Sequence, residues 1–418
     1  MEIKEIYKLY KEHYLVDTDT RNIRKNSLFF ALKGENFNGN LFAKEALKQG
    51  ALYAIVDEDL YENQPNIILV DDVLKILQQL ANYHRKVLKT PIIGLTGSNG
   101  KTTTKELINA VLSTTYRTSA TKGNLNNHIG VPLTLLSMTP KTEIGIVEMG
   151  ANHKKEIEFL CSICEPDFGY ITNFGKAHLE GFGGIEGVIE GKSELYTYLE
   201  KNHKTAFINP DDAIQVENSK KLNTIPFHPN LKFLEVNPFV KLSLNSTNIQ
   251  SHLIGQYNYT NIAVAGTIGH YFKISDKKIK KAIENYTPDN NRSQIIQKEA
   301  NKIILDAYNA NPTSMKAALE NFEAINAPNK TVILGDMFEL GKTSLEEHQT
   351  IVNLVEKLHF DACYLVGEIF YQTKTKNKQF KTFEDLLAHL KNNPLNLQSI
   401  LIKGSRGMRL ERLLEIIN

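Results

Sequence analysis

The sequence is poor in cysteine, in net charge and in long apolar runs, and each shortage excludes a class of protein. Only three cysteines occur in 418 residues, which excludes a disulfide framework and is typical of a reducing compartment. The formal net charge is +2, so no strong field favours nucleic acid as a partner. No apolar run approaches the roughly 20 residues that span a bilayer, which excludes a transmembrane helix.

The N-terminal segment, MEIKEIYKLYKEHY, is charged and amphipathic, unlike a signal peptide. Together with the low cysteine count, it predicts a cytoplasmic protein that inserts into no membrane. We further expect a monomer with no nucleic-acid partner.

Two of the cysteines, Cys161 and Cys164, have the CxxC spacing of redox and zinc sites. No second CxxC or histidine pair accompanies them, and they share one face of a predicted helix with Ile157 and Leu160. We interpret them as small buried apolar residues.

Short apolar strands alternate with helices along the chain, which predicts an α/β fold with mostly parallel sheets. The pattern divides into three blocks, residues 1–89, 90–290 and 291–418. We expect a small α/β block, a central phosphate-loop block and a C-terminal block with a doubly wound, Rossmann-like sheet. A helix is predicted to begin at Met408 and to end the chain.

A phosphate-binding loop, the segment TGSNGKTTT at residues 96–104, follows a predicted strand. Gly97 and Gly100 let the backbone turn its N–H groups inward, and the next helix directs its positive dipole end to the same place. Lys101 supplies a positive charge for the outer phosphates, and Thr102 supplies a hydroxyl for magnesium. The sequence therefore predicts a protein that works on ATP or a close relative of it.

The glycine spacing of this loop differs from the common phosphate loop, which has a glycine at the position of Leu95. The loop is a tighter variant, and this disfavours an ordinary GTPase or motor protein.

Three further side chains are candidates for the same site. Glu148 ends a predicted apolar strand, where an acid beside a phosphate loop holds magnesium. His178 follows another strand end, at the edge where α/β proteins bind ligands. Lys192 lies on the next helix, and its position alone is typical of a solvated lysine.

Together these motifs resemble the Mur ligase family, which builds the peptide stem of peptidoglycan. The matching segments follow the family's order along essentially the whole chain: TGSNGKTTT (96–104), GNLNNHIGVP (123–132), VEMGANH (147–153), NFGKAH (173–178) and GKSE (191–194). The resemblance implies three domains, which bind a UDP-sugar, ATP and an incoming amine. It also implies an ADP-forming amide ligase that works through an acyl phosphate.

The resemblance implies functions for particular residues. The implied catalytic residues are Lys101, Glu148, His178 and Lys192. Two Mg²⁺ ions are implied, with Thr102, Glu148, His178 and a carbamylated Lys192 as their ligands. The implied ATP contacts are Thr96, Gly97, Ser98, Asn99, Gly100, Lys101, Thr102, Thr103, Asn126, Asn127, Tyr257, Asn258, Asn261, Arg292 and Asp306.

The third block is similar to family members that add D-alanyl-D-alanine to UDP-N-acetylmuramoyl-tripeptide. The similar segments are DAYNANPTSM (306–315), GDMFELG (335–341) and KGSR (403–406). The implied dipeptide contacts are Asn309, Asn311 and Glu339. The implied contacts to the UDP-linked substrate are Thr20, Arg21, Lys33, Asn38 and Gly39.

Three alternatives remain open on the sequence. Another stem-peptide ligase of the family is one. Folylpolyglutamate synthase shares the central motifs but lacks the N-terminal uridine block. A non-catalytic phosphate-loop regulatory protein is disfavoured by the acid, histidine and lysine that accompany the loop.

Overall fold

The computed structural model describes residues 2–61, 63–288, 291–396 and 398–417. The described chain forms three successive blocks, each built on a mainly parallel sheet, as the predicted α/β class requires. The outer ends of the predicted ranges at 1 and 418, and the junction at 290, lie outside the described residues. None of the helices within the described ranges is both long and apolar enough to cross a membrane.

The N-terminal block is a four-stranded parallel sheet of order β1-β2-β5-β6 with a separate two-stranded hairpin, β3-β4. In chain order its elements are α1 (Ile3–Tyr10), β1 (Val16–Asp17), β2 (Leu28–Phe30), β3 (Lys33–Gly34), β4 (Phe37–Asn38), α2 (Ala43–Gln49), β5 (Tyr53–Val56), β6 (Ile67–Leu69) and α3 (Val73–Leu88). Asp72 caps the start of α3, and the buried face of this amphipathic helix carries Leu77 and Leu80.

The central block contains a six-stranded parallel sheet of order β12-β11-β10-β7-β9-β8 and a three-stranded antiparallel sheet of order β13-β14-β15. Its strands are β7 (Ile92–Thr96), β8 (Thr118–Ala120), β9 (Ile144–Glu148), β10 (Phe168–Ile171), β11 (Thr205–Ile208), β12 (Asn223–Pro226), β13 (Leu231–Val236), β14 (Phe239–Leu244) and β15 (Thr247–Ile254). Its helices are α4 (Lys101–Leu112), α5 (Gly130–Leu136), α6 (Glu156–Cys164), α7 (Leu179–Phe182), α8 (Ile185–Lys201), α9 (Ala213–Asn218), α10 (Asn258–Tyr271) and α11 (Asp276–Asn285).

Successive residues of the central strand β7 pack into different cores. Ile92 belongs to a core that includes residues of α3, α5, α6 and α8, whereas Ile93 and Leu95 pack with residues of α4, α10 and α11. A parallel strand that is buried on both faces reads as a continuous apolar run, which is why Ile92–Leu95 carries no polar residue. The phosphate loop therefore begins at the end of a strand that is buried along its whole length.

The C-terminal block is a six-stranded sheet of order β16-β17-β21-β18-β19-β20, parallel except for the edge strand β16. Its elements are β16 (Gln294–Lys298), β17 (Asn301–Asp306), α12 (Pro312–Ala324), β18 (Lys330–Gly335), α13 (Ser344–Val355), β19 (Ala362–Val366), β20 (Lys378–Phe380), α14 (Phe383–Asn392) and β21 (Ser399–Lys403).

The structure contradicts one sequence prediction and adds elements that the sequence pattern did not predict, among them β8, β12, β13 and β16. The predicted helix from Met408 is wrong, because the chain forms two 3-10 turns, Arg406–Met408 and Leu410–Glu415, separated by Arg409 in the left-handed conformation (φ 50°). The strand β13 was missed, since its burial does not alternate regularly. The cysteines agree with their interpretation: both thiols of the CxxC pair are buried and free.

Candidate active site

The phosphate loop is fastened to the end of the neighbouring strand β10. Gly97 (φ +138°) passes so close to Thr172 that an added Cβ would lie 2.0 Å from its hydroxyl oxygen. The Thr172 hydroxyl and the Asn173 amide both donate to the Asn99 carbonyl, at 2.6 and 3.0 Å. The Ser98 N–H donates to the Asn173 carbonyl at 3.0 Å. The loop is therefore held in shape by its neighbour, and glycine is required at the closest approach.

Lys101 begins helix α4 and curls over the loop. Its Nζ donates to the carbonyls of Gly97 (2.6 Å) and Ser98 (3.2 Å). Burial lowers the pKa of Lys101 to about 8; the nearby Glu148 carboxylate acts in the opposite direction, and Arg292 lowers it further. Lys101 and Arg292 line the same cavity, so two cations lie in one site, as a triphosphate requires.

Glu148 ends the buried strand β9 beside the loop. Its Oε1 accepts from the Asn126 amide at 2.8 Å and from the Thr102 hydroxyl at 3.4 Å, whereas its buried Oε2 has no hydrogen-bond partner within the described ranges. An orphaned carboxylate oxygen beside a hydroxyl is a donor set that fits Mg²⁺. Within the described ranges, no cluster of three or more His, Cys, Asp or Glu side chains could hold a metal ion by itself.

His178 adopts a left-handed conformation (φ 53°) at the start of α7. Its Nδ1 is in contact with the Glu339 carboxylate, and the Glu180 N–H donates to the Glu339 carbonyl at 3.2 Å. Hydrogen bonding to His178 lowers the pKa of Glu339 below its usual range. Two predicted site residues from different blocks are thus in direct contact.

Lys192 is fully buried on helix α8. Its Nζ donates to the Ala151 carbonyl at 3.0 Å and lies 4.8 Å from the centre of the Phe182 ring. Burial holds the pKa of Lys192 well below its usual range, and the charge of Lys101 adds to that effect. The solvated-lysine interpretation from helix position is therefore wrong.

An amide chain supports the loop from helix α10. Asn261 donates to Asn258 at 2.8 Å and accepts from the Thr104 hydroxyl at 3.0 Å. A Cβ at Gly100 would lie 2.8 Å from the Asn261 oxygen. Asn261 therefore packs directly against the phosphate loop. It also lines the cavity, together with the other predicted ATP contacts Tyr257 and Asn258.

The C-terminal block adds a charged wall. Asp306 accepts from the Lys403 ammonium at 2.5 Å and from the Ser293 N–H at 3.1 Å. The Arg292 guanidinium lies 3.8 Å from the centre of the Tyr308 ring, and its buried Nε has no hydrogen-bond partner in the part of the chain that the structure describes. Arg292 is thus held by a ring rather than by a carboxylate, so its charge is available to a ligand.

These residues surround a cavity of about 870 Å³ between the central and C-terminal blocks. The predicted residues that line it are Ser98, Asn99, Gly100, Lys101, Thr102, Thr103, Asn126, Asn127, Glu148, His178, Tyr257, Asn258, Asn261, Arg292, Asp306 and Asn309. Thr96, Gly97, Lys192, Asn311 and Glu339 lie behind or beside its wall. That volume is within the range of small-ligand sites.

Asn311 and Asn127 have structural contacts that the sequence did not reveal. Asn311 caps helix α12 by accepting from the Ser314 N–H, and its amide also donates to Asn99 of the phosphate loop at 2.7 Å. Asn127 accepts from the N–H groups of residues 129 and 130, at the start of α5. Asn311 thus connects the C-terminal block to the loop.

The predicted uridine residues lie in the N-terminal block, outside the cavity lining. Lys33 contacts the carboxylates of Asp57 (2.8 Å) and Glu58 (3.3 Å), and Asn38 donates to Glu58 at 2.9 Å. Gly39 passes Leu32 so closely that a Cβ would lie 2.4 Å from its carbonyl oxygen.

Thr20 and Arg21 form a separate turn of the same block. The 3-10 turn begins at Thr20, and the exposed Arg21 is paired with Asp19 at 2.6 Å. The structure therefore groups Lys33, Asn38 and Gly39, whereas Arg21 pairs with Asp19 in a turn of its own.

Sequence reasoning missed four residues of the site: Thr172, Asn173, Tyr308 and Lys403. All four lie in or beside the quoted motifs, at the ends of strands β10, β17 and β21. The motifs could have indicated these four residues as site candidates. Their contacts could not be predicted, because they depend on which strands are neighbours in the sheet.

Comparison with known proteins covers all three blocks. The Mur ligase family, catalytic domain, matches residues 12–85; the Mur ligase middle domain matches 95–269; and the Mur ligase, glutamate ligase domain, matches 291–406. The chain is 35% identical to UDP-N-acetylmuramoyl-tripeptide--D-alanyl-D-alanine ligase of Bacillus subtilis (strain 168), over 96% of this chain and 92% of that protein.

Two solved structures extend the comparison to the fold. MurF from Acinetobacter baumannii is similar with a TM-score of 0.86 and 31% identity, over 96% of this chain and 92% of that one. MurF ligase from Thermotoga maritima, in complex with ADP, has a TM-score of 0.83 and 27% identity, over 96% of each chain. The likeness of sequence over the full length and the likeness of fold agree, and the chain belongs to the Mur ligase family.

Proposed function

We propose that this protein joins D-alanyl-D-alanine to UDP-N-acetylmuramoyl-tripeptide at the expense of ATP, with ADP and phosphate as products. The observation that carries the proposal is the cavity that Lys101, Arg292 and Glu148 line together, where one buried oxygen of Glu148 has no hydrogen-bond partner among the described residues. The names of the B. subtilis, A. baumannii and T. maritima relatives support this member of the family.

In the proposed reaction, a carboxylate of the tripeptide attacks the γ-phosphate of ATP and forms an acyl phosphate. The dipeptide amine then attacks the activated carbonyl, phosphate leaves, and the amine loses a proton. A carboxylate and a triphosphate repel each other, so the first step requires concentrated positive charge. Lys101 and Arg292 supply that charge, and the contacts between the central and C-terminal blocks exclude water from the acyl phosphate.

Magnesium fits the same site. Thr102 and Glu148 would hold one ion, which would neutralise phosphate charge. A second ion would use His178 and Lys192, with Lys192 converted by CO₂ to a carbamate: its nitrogen bonds to the carbon and loses a proton. The amine of Lys192 is buried and donates to a carbonyl, and among the described residues no carboxylate lies within ion-pair distance of it, which supports this conversion.

The experiment that tests the function is phosphate release from ATP with UDP-N-acetylmuramoyl-tripeptide, with and without D-alanyl-D-alanine. We expect release that depends on the dipeptide, together with a product whose mass equals the two substrates less water. Release that depends instead on a free amino acid would assign a different stem ligase. Slow release that depends on neither substrate would favour a regulatory protein.

The Lys192 proposal is tested by Lys192→Ala with added short carboxylates. We expect activity to be lost and partly restored by acetate or formate, which supply the missing oxygen ligand. Lys201→Ala, an exposed lysine of the same helix, is the matched control and should remain active. Near-normal activity of Lys192→Ala without added carboxylate would remove Lys192 from the site.

A further inference from the structure

Arg406 is a cation near the cavity wall, and the proposed reaction described above gives it no role. It follows strand β21 and is exposed. Its guanidinium lies 5.3 Å from the centre of the Tyr308 ring, and among the described residues it has no ion pair with a carboxylate. The other cations of this wall have functions of their own: Lys403 pairs with Asp306, and Arg292, 3.8 Å from the centre of the same ring, is assigned to the phosphates.

The backbone at Arg406 is fixed to the loop that reaches the central block. Ser405 donates its N–H to the Asp336 carbonyl (3.1 Å) and accepts from the Phe338 N–H (2.9 Å). Gly407 lies so close to Phe338 that a Cβ would be 2.6 Å from its ring. The next residue of that loop, Glu339, contacts His178. Arg406 is therefore connected to the predicted catalytic histidine through three successive contacts.

The proposed second substrate needs a cation of this kind. D-Alanyl-D-alanine has an amine that must reach the acyl phosphate and a carboxylate that remains negative at the other end. Two residues span at most about 7 Å, so the carboxylate must be bound close to the reaction centre. A guanidinium offers two parallel N–H donors to a carboxylate, and an aromatic ring beneath it fixes its plane.

The surroundings also suit the rest of the dipeptide. Phe338 is 45% exposed beside Gly407, which leaves an apolar surface for a methyl group. Asn309, the residue after Tyr308, is exposed and lines the cavity. This corner thus offers a cation, an apolar ring and an amide to a small zwitterion with methyl side chains.

We infer that Arg406, oriented by the Tyr308 ring, binds the carboxylate of the incoming dipeptide and selects for a free C-terminus. The inference rests on the proposed function, since it names the recognition element for the second substrate. The guanidinium acts in binding and takes no part in the transfer of the acyl group.

The test compares D-alanyl-D-alanine with D-alanyl-D-alaninamide, which lacks the carboxylate, in wild-type protein and in Arg406→Gln. A charge-assisted hydrogen bond corresponds to roughly 10- to 100-fold in binding. We expect the wild-type KM to be lower for the acid by about that factor, and the preference to disappear in Arg406→Gln through a higher KM for the acid. The KM values for ATP and the UDP-linked substrate should stay unchanged.

Three further variants sharpen the test. Arg409→Gln, an exposed arginine of the same segment, is the matched control and should keep the wild-type preference. Arg406→Lys keeps the charge but lacks the planar pair of donors, so it should keep part of the preference for the acid. Tyr308→Leu removes the ring and should reduce the preference without abolishing it.

Two results overturn the inference in distinguishable ways. If the wild-type protein is active and Arg406→Gln prefers the acid as strongly as the wild type does, the carboxylate is bound elsewhere. If the wild-type protein shows no dipeptide-dependent phosphate release, the proposed function fails and the inference fails with it.

Discussion

The central block meets the other two blocks through interfaces of different character. Toward the N-terminal block the contacts are buried: Arg85 of α3, whose side chain is 9% exposed, donates to the carbonyls of Cys164 and Glu165 (both 3.0 Å) and pairs with Asp167 at 2.6 Å. The buried His84 lies beside it, with Nε2 3.0 Å from a main-chain carbonyl of the central block. Breaking this interface would leave several buried polar groups unsatisfied.

Toward the C-terminal block the polar contacts are more accessible. Lys176, whose side chain is 49% exposed, pairs with Glu347 at 2.6 Å, and its N–H donates to the Thr313 hydroxyl at 2.9 Å. The contact between His178 and Glu339 lies in the same region. In each of these pairs one partner is accessible to water, Lys176 in one and Glu339 in the other, so the pairs are less enclosed than Arg85 with Asp167.

The two interfaces should therefore serve different purposes. The N-terminal block is fixed to the central block by buried contacts. The C-terminal block meets the central block around the cavity through ion pairs in which one partner is accessible to water. We therefore expect substitutions at the first interface to change stability, and substitutions at the second to change turnover.

Arg85→Met should give the largest loss of stability. The substitution keeps the apolar stem but leaves Asp167 and two carbonyls without their donor, which costs about 3 kcal/mol in the free energy of unfolding. Thermal unfolding measures the loss. Arg117→Met, which breaks the exposed pair with Glu143, is the control and should cost less than about 1 kcal/mol. Equal losses in the two variants would show that the first interface is not fixed by its buried arginine.

His84 should make this interface sensitive to acid. Burial lowers the pKa of His84 to about 4, against roughly 6.5 in the unfolded chain. Between these values the unfolded state binds more protons, so stability falls as pH decreases from about 6.5 to 4, by up to about 3 kcal/mol. His84→Gln should flatten the dependence of the unfolding midpoint on pH in that range, whereas His13→Gln, at an exposed position, should not. An unchanged slope in His84→Gln would contradict the prediction.

Asn311 allows capping to be separated from contact with the phosphate loop. Asn311→Ala removes both and should cost about 1 kcal/mol of stability. Asn311→Ser keeps a cap for α12 but is too short to reach Asn99, so we expect near-normal stability with reduced turnover. The measurement is thermal unfolding beside dipeptide-dependent phosphate release. Full turnover in the serine variant would mean that the contact with the loop has no part in the reaction.

Lys176→Ala should give the smallest loss of stability, less than about 1 kcal/mol. If the pair stabilises the closed arrangement of the central and C-terminal blocks by the same free energy, its loss would lower the population of that arrangement by roughly fivefold. We therefore expect a reduced kcat with little change in the unfolding midpoint. Lys241→Ala breaks a comparable pair with Glu235, within the antiparallel sheet, and should leave kcat unchanged. A large fall in stability with normal kcat would reverse the comparison.

The sequence predicted the elements of the site better than their contacts. The phosphate loop, Glu148 and His178 stand at strand ends, and glycine spacing and apolar runs are local signals that a single sequence carries. The α/β class followed from the same periodicity, and the family matches confirm it.

The contacts between blocks were beyond the sequence, because they join distant positions. Asn311 reaches Asn99 across 212 residues, and Glu339 reaches His178 from another sheet. Lys192 shows the same limit, since position on a helix does not reveal that a whole lysine side chain is buried. The 3-10 ending of the chain was missed because a left-handed Arg409 has no sequence signal as clear as glycine.

The buried attachment of α3 has a consequence for the choice of substrate. Because the N-terminal and central blocks are fixed together, the separation between the proposed uridine site and the phosphate loop is constant. A substrate held by its nucleotide therefore presents its peptide carboxylate at one depth only. The carboxylate of a stem that is one residue shorter would lie about 3.5 Å from the position at which it must react. The protein would therefore select its substrate by peptide length before any bond is formed.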